Sequence, residues 1–181
     1  MRGVAGAIDH VSWENGSWKV HVIGDRDASA AEGICGSGVI DGVAGLLESG
    51  LLEDTGYLEE DVCFAGNVGL TAADIREVQL AKGAIRAGME TLLAEEKMDA
   101  AGLEGLYVAG GFGSYMSAKS AERIGLFPKI DLSRIKICGN AALAGAVKIL
   151  LTAGWKKRQQ HWQSGQRPSI LDRVRNFRNF I

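Results

Sequence analysis

Three glycine-rich turns carry the residues through which this chain could meet a phosphate or a purine: Gly33-Ile-Cys-Gly-Ser-Gly38, Gly110-Gly-Phe-Gly113 and Gly139-Asn140. Main chain without side chains can lie against a flat or charged ligand, and in open α/β sheets ligands collect at the carboxyl ends of the strands. Each turn taken singly has a plain structural alternative. Gly110-Gly111 serves equally as a tight turn, and Ser37 and Asn140 serve equally as helix caps.

Several sharper chemistries are excluded on residues alone. No glycine precedes a lysine, so a Gly-x-x-x-x-Gly-Lys-Ser/Thr phosphate loop is absent. The dinucleotide pattern Gly-x-Gly-x-x-Gly fails because Asp41 stands at the sixth position from Gly36. A nucleophile elbow at Ser37 needs glycines two residues to either side, where Cys35 and Val39 stand. Cys35, Cys63 and Cys138 are odd in number and lack the paired spacing of a zinc or iron–sulfur site, so they read as free thiols in a reducing compartment. His10 and His21 occupy polar positions of two alternating strands and could approach each other, but a solvated strand face explains them as well.

The elements that must position these turns follow from periodicity and punctuation. Residues 6 to 13 and 18 to 23 read as strands joined across Glu14-Asn15-Gly16-Ser17, where Asn-Gly supplies the positive φ of a tight hairpin. The turn at 33 to 38 opens a helix from about Val39 to Glu48, closed by Ser49-Gly50. Residues 53 to 70 read as irregular. Thr71-Ala-Ala-Asp74 has the form of a capping box, and Ile75, Val78, Ala81, Ile85, Met89 and Leu92 recur at helical spacing as one buried stripe. Strand 105 to 109 runs into the second glycine turn, and a short helix near 117 to 124 ends at Gly125. Strand 135 to 138 runs into Gly139-Asn140 and a helix from Ala141 to about Leu151, with Gly154 as its stop. Strand, glycine turn and helix, occurring twice, is an α/β pattern.

Composition places few further limits. At 181 residues the chain can bury a real core, and 25 glycines against 2 prolines is a high ratio concentrated at turns. No stretch approaches the ~20 apolar residues of a membrane helix, and no signal segment opens the chain, so a cytoplasmic location without membrane attachment is expected. The net charge is -2, yet residues 155 to 181 hold seven Lys or Arg against one acidic residue, Asp172. Trp155, Trp162 and Phe177 are too scattered to form a stacking platform. That segment is expected to be a solvated or poorly ordered basic tail beyond a domain spanning 1 to 154, without a nucleic-acid partner.

Five segments taken together resemble one family. G-I-C-G-S-G-V-I-D at 33 to 41, D-I-R-E-V-Q-L-A-K-G-A-I-R-A-G at 74 to 88, V-A-G-G-F-G-S-Y at 108 to 115, I-G-L-F-P at 124 to 128 and G-N-A-A-L-A-G-A at 139 to 146 resemble the C-terminal domain of ferredoxin-linked reductive activators of corrinoid proteins. The opening M-R-G-V-A-G-A-I is similar to the segment after the second phosphate hairpin of that family. The match runs in order from residue 1 to about 151.

The resemblance implies a ribonuclease-H-like half of an actin-like ATPase, the acetate-kinase, sugar-kinase, chaperone and actin class, in which two lobes clasp ATP. It implies a parent protein that uses ATP, with Mg, to return cob(II)alamin to cob(I)alamin in a corrinoid protein or corrinoid-dependent methyltransferase. Electrons there come through a 2Fe-2S ferredoxin domain. By the resemblance, Gly110, Gly111, Phe112 and Gly113 correspond to the adenosine motif, with Ser114 and Tyr115 beside it. Gly139, Asn140, Ala144 and Gly145 correspond to the second connecting motif, whose small residues let two helices cross at the interdomain hinge.

Departures from the family pattern are equally specific. Both Asp-x-Gly-Thr-type phosphate hairpins and the ferredoxin cysteines are missing, and Trp155 to Ile181 does not align. The expectation is a fragment that contributes the adenosine side of the cleft, with no catalytic or metal-ligating residue of its own and no ATP hydrolysis alone. A non-enzymatic docking module and an activator of a hydroxyacyl-CoA dehydratase are the alternatives. The oligomeric state is open, a homodimer included.

Overall fold

The structure is a computed structural model that describes residues 1–110 and 115–152. Strands β1 (Ala7–Glu14) and β2 (Ser17–Val22) pair antiparallel across Asn15 and Gly16, whose φ values of 51° and 78° are those the tight hairpin requires. β1 also pairs parallel with the short β3 (Gly33–Ile34), giving the order β2-β1-β3.

Helix α1 (Gly36–Ser49) lies across this sheet and ends at Gly50, which is left-handed. Cys35, not Ser37, is its N-cap residue, and no side chain closes that end. Ser37 sits inside the first turn, buried, with its hydroxyl 3.3 Å from the Cys35 thiol. The helix approaches closely because its sheet-facing positions are bare: a Cβ on Gly38 would stand 2.5 Å from the Ile8 carbonyl oxygen, and one on Gly45 would stand 2.8 Å from the Trp18 ring.

Residues 62 to 70, expected to be irregular, form a second hairpin, β4 (Val62–Ala65) and β5 (Val68–Leu70), reversed at Gly66 with φ 54°. Its strands are too short for two-residue alternation to be legible. Ile8, Val11, Val22, Ile40, Val43, Leu46, Phe64, Leu70, Ile75, Ile124 and Phe127 make one buried cluster beneath α1.

Helix α2 (Ala72–Glu95) starts with the expected capping box: Thr71 Oγ1 accepts from the Asp74 amide, and the Asp74 carboxylate accepts from the Thr71 amide. The buried stripe does not form as expected. Only Ile75 is buried; Val78 and Met89 are half-buried against the core, while Ala81, Ile85 and Leu92 face solvent. Periodicity reports which face is apolar, but cover depends on what packs there, and the later turns of α2 outrun the core.

After a capped turn at Ala100–Gly102, β6 (Leu106–Val108) pairs parallel with β7 (Ile135–Ile137). Between them, α3 (Ala118–Arg123) packs against α1 and closes at Gly125, with φ 73°. Helix α4 (Ala141–Leu151) follows β7 and buries no residue at all. The expected helix stop at Gly154 and the basic segment 155 to 181 lie outside the described residues.

Candidate functional site

The two β-strand–turn–helix units bring Gly110 and Gly139 side by side. Parallel pairing of Leu106 with Ile135, Tyr107 with Lys136 and Val108 with Ile137 puts both strands in register. The Gly110 amide then donates to the Gly139 carbonyl at 2.8 Å, carrying the ladder one step past the strands. Gly110 has φ 112° and Gly139 φ 61°, values that side-chain-bearing residues rarely adopt. Among the described residues, a Cβ on Gly110 would meet nothing within 4 Å.

Asn140 is the N-cap of α4: its Oδ1 accepts from the Leu143 amide at 3.0 Å. The capping role that sequence left open is therefore real, and it sets the start of α4 next to Gly139. Tyr115, 67% exposed, precedes Ser117, whose hydroxyl caps α3. Gly111, Phe112, Gly113 and Ser114 lie outside the described residues. Ala144 and Gly145 fall on α4, where a Cβ on Gly145 would also meet nothing within 4 Å. On the same helix Leu143, Leu150 and Leu151 are 60%, 84% and 81% exposed.

A second constellation was only half legible in the sequence. His10 and His21 stand directly opposite each other on β1 and β2, with ring centres 6.3 Å apart. His10 Nδ1 meets Asp41 Oδ2 at 2.9 Å, and His21 Nδ1 meets Asp9 Oδ1 at 2.5 Å. Both carboxylates are buried, and Asp41 Oδ1 has no hydrogen-bond partner. The Asp9 hydrogen bond, then its charge, raises the His21 pKa above 6.5. A cavity of about 550 Å³ opens here, walled by His10, His21 and Lys19 from the hairpin, Asp41 and Glu48 from α1, and Lys119 at α3. Asp9 and Asp41 were missed because an acidic residue inside an apolar run gives a signal only once its partner is known; the runs Ala7–Ile8 and Val39–Ile40 beside them were that signal.

The described residues can be tested against the groups that the resemblance implied. Gly110 and Gly139 leave the two strand ends without side chains, both at positive φ. Cys35 is buried while Cys63 and Cys138 are exposed, all free, and no three His, Cys, Asp or Glu among the described residues could hold a metal ion. An iron–sulfur cluster therefore does not fit the described residues. No helix among them is long and apolar enough to cross a membrane.

Parallel strands ending in paired glycine turns, each followed by a helix, define half of an actin-like nucleotide-binding domain. The family described as the C-terminal domain of RACo, the ASKHA domain, matches residues 1–167, and this chain belongs to it. It is 34% identical to the corrinoid activation enzyme RamQ of Eubacterium limosum, over 84% of this chain and 30% of that protein. It is 35% identical to the Co(II) methylated amine-specific corrinoid protein reductase of Methanosarcina barkeri, over 71% of this chain and 24% of that protein. A solved reductive activator for corrinoid, iron-sulfur protein superposes with a TM-score of 0.75 at 34% identity, covering 84% of this chain and 28% of that one. The chain thus spans less than a third of the length of these relatives.

Proposed function

We propose that this chain supplies the adenosine side of an ATP cleft in a reductive activator, which returns cob(II)alamin to cob(I)alamin in a corrinoid protein. The observation that carries the reading is the juxtaposition of Gly110 and Gly139, both without side chains, at the ends of two parallel strands. Gly110 to Gly113, with Ser114 and Tyr115, would receive the purine and ribose; Gly139 and Asn140 start α4 beside them. Ala144 and Gly145 would let the opposing lobe's helix cross α4 closely, so that lobe closure is sensed next to the nucleotide.

Reduction of a low-potential acceptor is uphill, and a nucleotide can bias it only by binding one conformation of the complex better than another. In this reading ATP and Mg span this lobe and a second one, and the 2Fe-2S domain and phosphate hairpins belong to polypeptide outside this sequence. The corrinoid partner, a methyltransferase or a corrinoid carrier, meets the assembled protein, a homodimer, in the cytoplasm.

Calorimetric titration with ADP tests the purine site. Saturable heat that disappears in Gly110→Val supports it, since a branched side chain at φ 112° strains the turn. No heat at millimolar ADP overturns it in favour of a docking module. ATP turnover by the chain alone would overturn the assignment of catalysis to the missing hairpins.

A further inference from the structure

The histidine pair on the β1–β2 hairpin has an arrangement that the nucleotide reading does not use. His10 and His21 are cross-strand partners, each about half exposed, and each has its Nδ1 tied to a buried carboxylate. A carboxylate on one ring nitrogen fixes the tautomer and raises the basicity of the other, which is the outer-shell arrangement of metal-binding histidines. With Nδ1 occupied, Nε2 is the nitrogen each ring has left to offer.

The spacing suits a shared ion. Imidazole nitrogens lie about 2.0–2.1 Å from a bound Zn(II), so two rings on one ion have centres roughly 5–6.5 Å apart. The observed separation of 6.3 Å lies at the wide end, where the two nitrogens face each other across the ion, as a tetragonal Cu(II) site allows. Charge is nearly balanced around the pair: Lys19 and Lys119 on the cavity wall oppose a cation, whereas Asp9, Asp41 with its unpartnered Oδ1, and Glu48 favour one. Asp25, 3.8 Å from His21 Nε2, adds a further negative charge at the hairpin end.

We propose that His10 and His21 form a two-imidazole site for a divalent first-row transition ion, bound through Nε2 of each ring, with Asp41 and Asp9 as positioning residues. Among the described residues no third His, Cys, Asp or Glu joins the pair, so solvent completes the coordination. Imidazole ligands rank Cu(II) above Zn(II), and two of them give a weak, exchangeable site. The ion would fasten β2 to β1 and, through Asp41, the hairpin to α1.

The test uses the untagged full chain, stripped with chelator, at neutral pH. Titration with Cu(II), followed by electron paramagnetic resonance, is expected to show one ion per chain with two nitrogen ligands. Zn(II) is expected to compete for it. His10→Gln and His21→Gln should each weaken Cu(II) binding by about 10-fold or more, and Asp41→Asn by roughly 10-fold. His161→Gln, altering the remaining histidine of the chain, should leave binding unchanged. The nitrogen count is read on the unaltered chain and does not depend on any variant folding. Fewer than two nitrogens, no binding at millimolar ion, or affinity that survives either hairpin substitution overturns the proposal.

Discussion

Replacing Gly38 by alanine is the most direct perturbation of the packing that fixes α1. The new Cβ would stand 2.5 Å from the Ile8 carbonyl oxygen and 2.9 Å from Ile34 Cγ1. Ordinary contacts between such atoms begin near ~3.5 Å, so α1 must lift from β1 by roughly 1 Å or tilt. The nearest obstacle is backbone in the central strand of its sheet, which cannot swing aside as a side chain can. Overpacking of this kind costs about 1–3 kcal/mol, and the better helix propensity of alanine returns roughly 1 kcal/mol. A net loss of up to about 2 kcal/mol lowers the melting temperature by up to roughly 8 °C in a chain of this size.

Thermal melting followed by circular dichroism reads the difference. Gly83→Ala and Gly88→Ala on α2 provide the control, because a Cβ at either position meets nothing within 4 Å. Those substitutions should stabilise by about 0.5–1 kcal/mol through backbone entropy and propensity alone. A Gly38→Ala chain that melts above the parent temperature, as the two controls should, would refute the close helix-on-strand contact.

Thr71→Ala removes the hydroxyl half of the α2 capping box and should cost about 1 kcal/mol in chemical denaturation, with Thr71→Asn close to neutral. In metal-free protein, NMR titration should place the His21 midpoint above 6.5, and Asp9→Asn should bring it down, because Asp9 is the leading cause of the shift. The sign for stability follows: the His21–Asp9 contribution is complete below pH 6.5 and is lost as pH rises through the raised folded-state value. Leu150→Glu, at a position 84% exposed, should change the stability of this chain by no more than about 0.5 kcal/mol. A larger loss would show that α4 is covered.

Local structure was legible where one signal sufficed. Asn15-Gly16 fixed the hairpin, Thr71 and Asp74 the start of α2, and Gly50 and Gly125 the ends of α1 and α3. The two strand-turn-helix units were also legible, and their parallel register is what joins Gly110 to Gly139. What failed to show depends on partners distant in sequence. Burial of Ile85 and Leu92 was read from their own spacing, but cover for the later turns of α2 is a property of other elements. The β4–β5 hairpin offered too few residues for alternation, and Asp41 acquires meaning only beside His10, 31 residues away.

The two-stranded pair β6–β7, continued by a helix that buries nothing, sets the proposed purine turn on the least consolidated part of the described fold. Amides of these strands should exchange with deuterium well before those of β1, which lies in the middle of its sheet. A ligand binding there would act as a folding cofactor: it would draw on its own affinity to order the ground beneath it, and the unfolding midpoint would climb with ligand concentration.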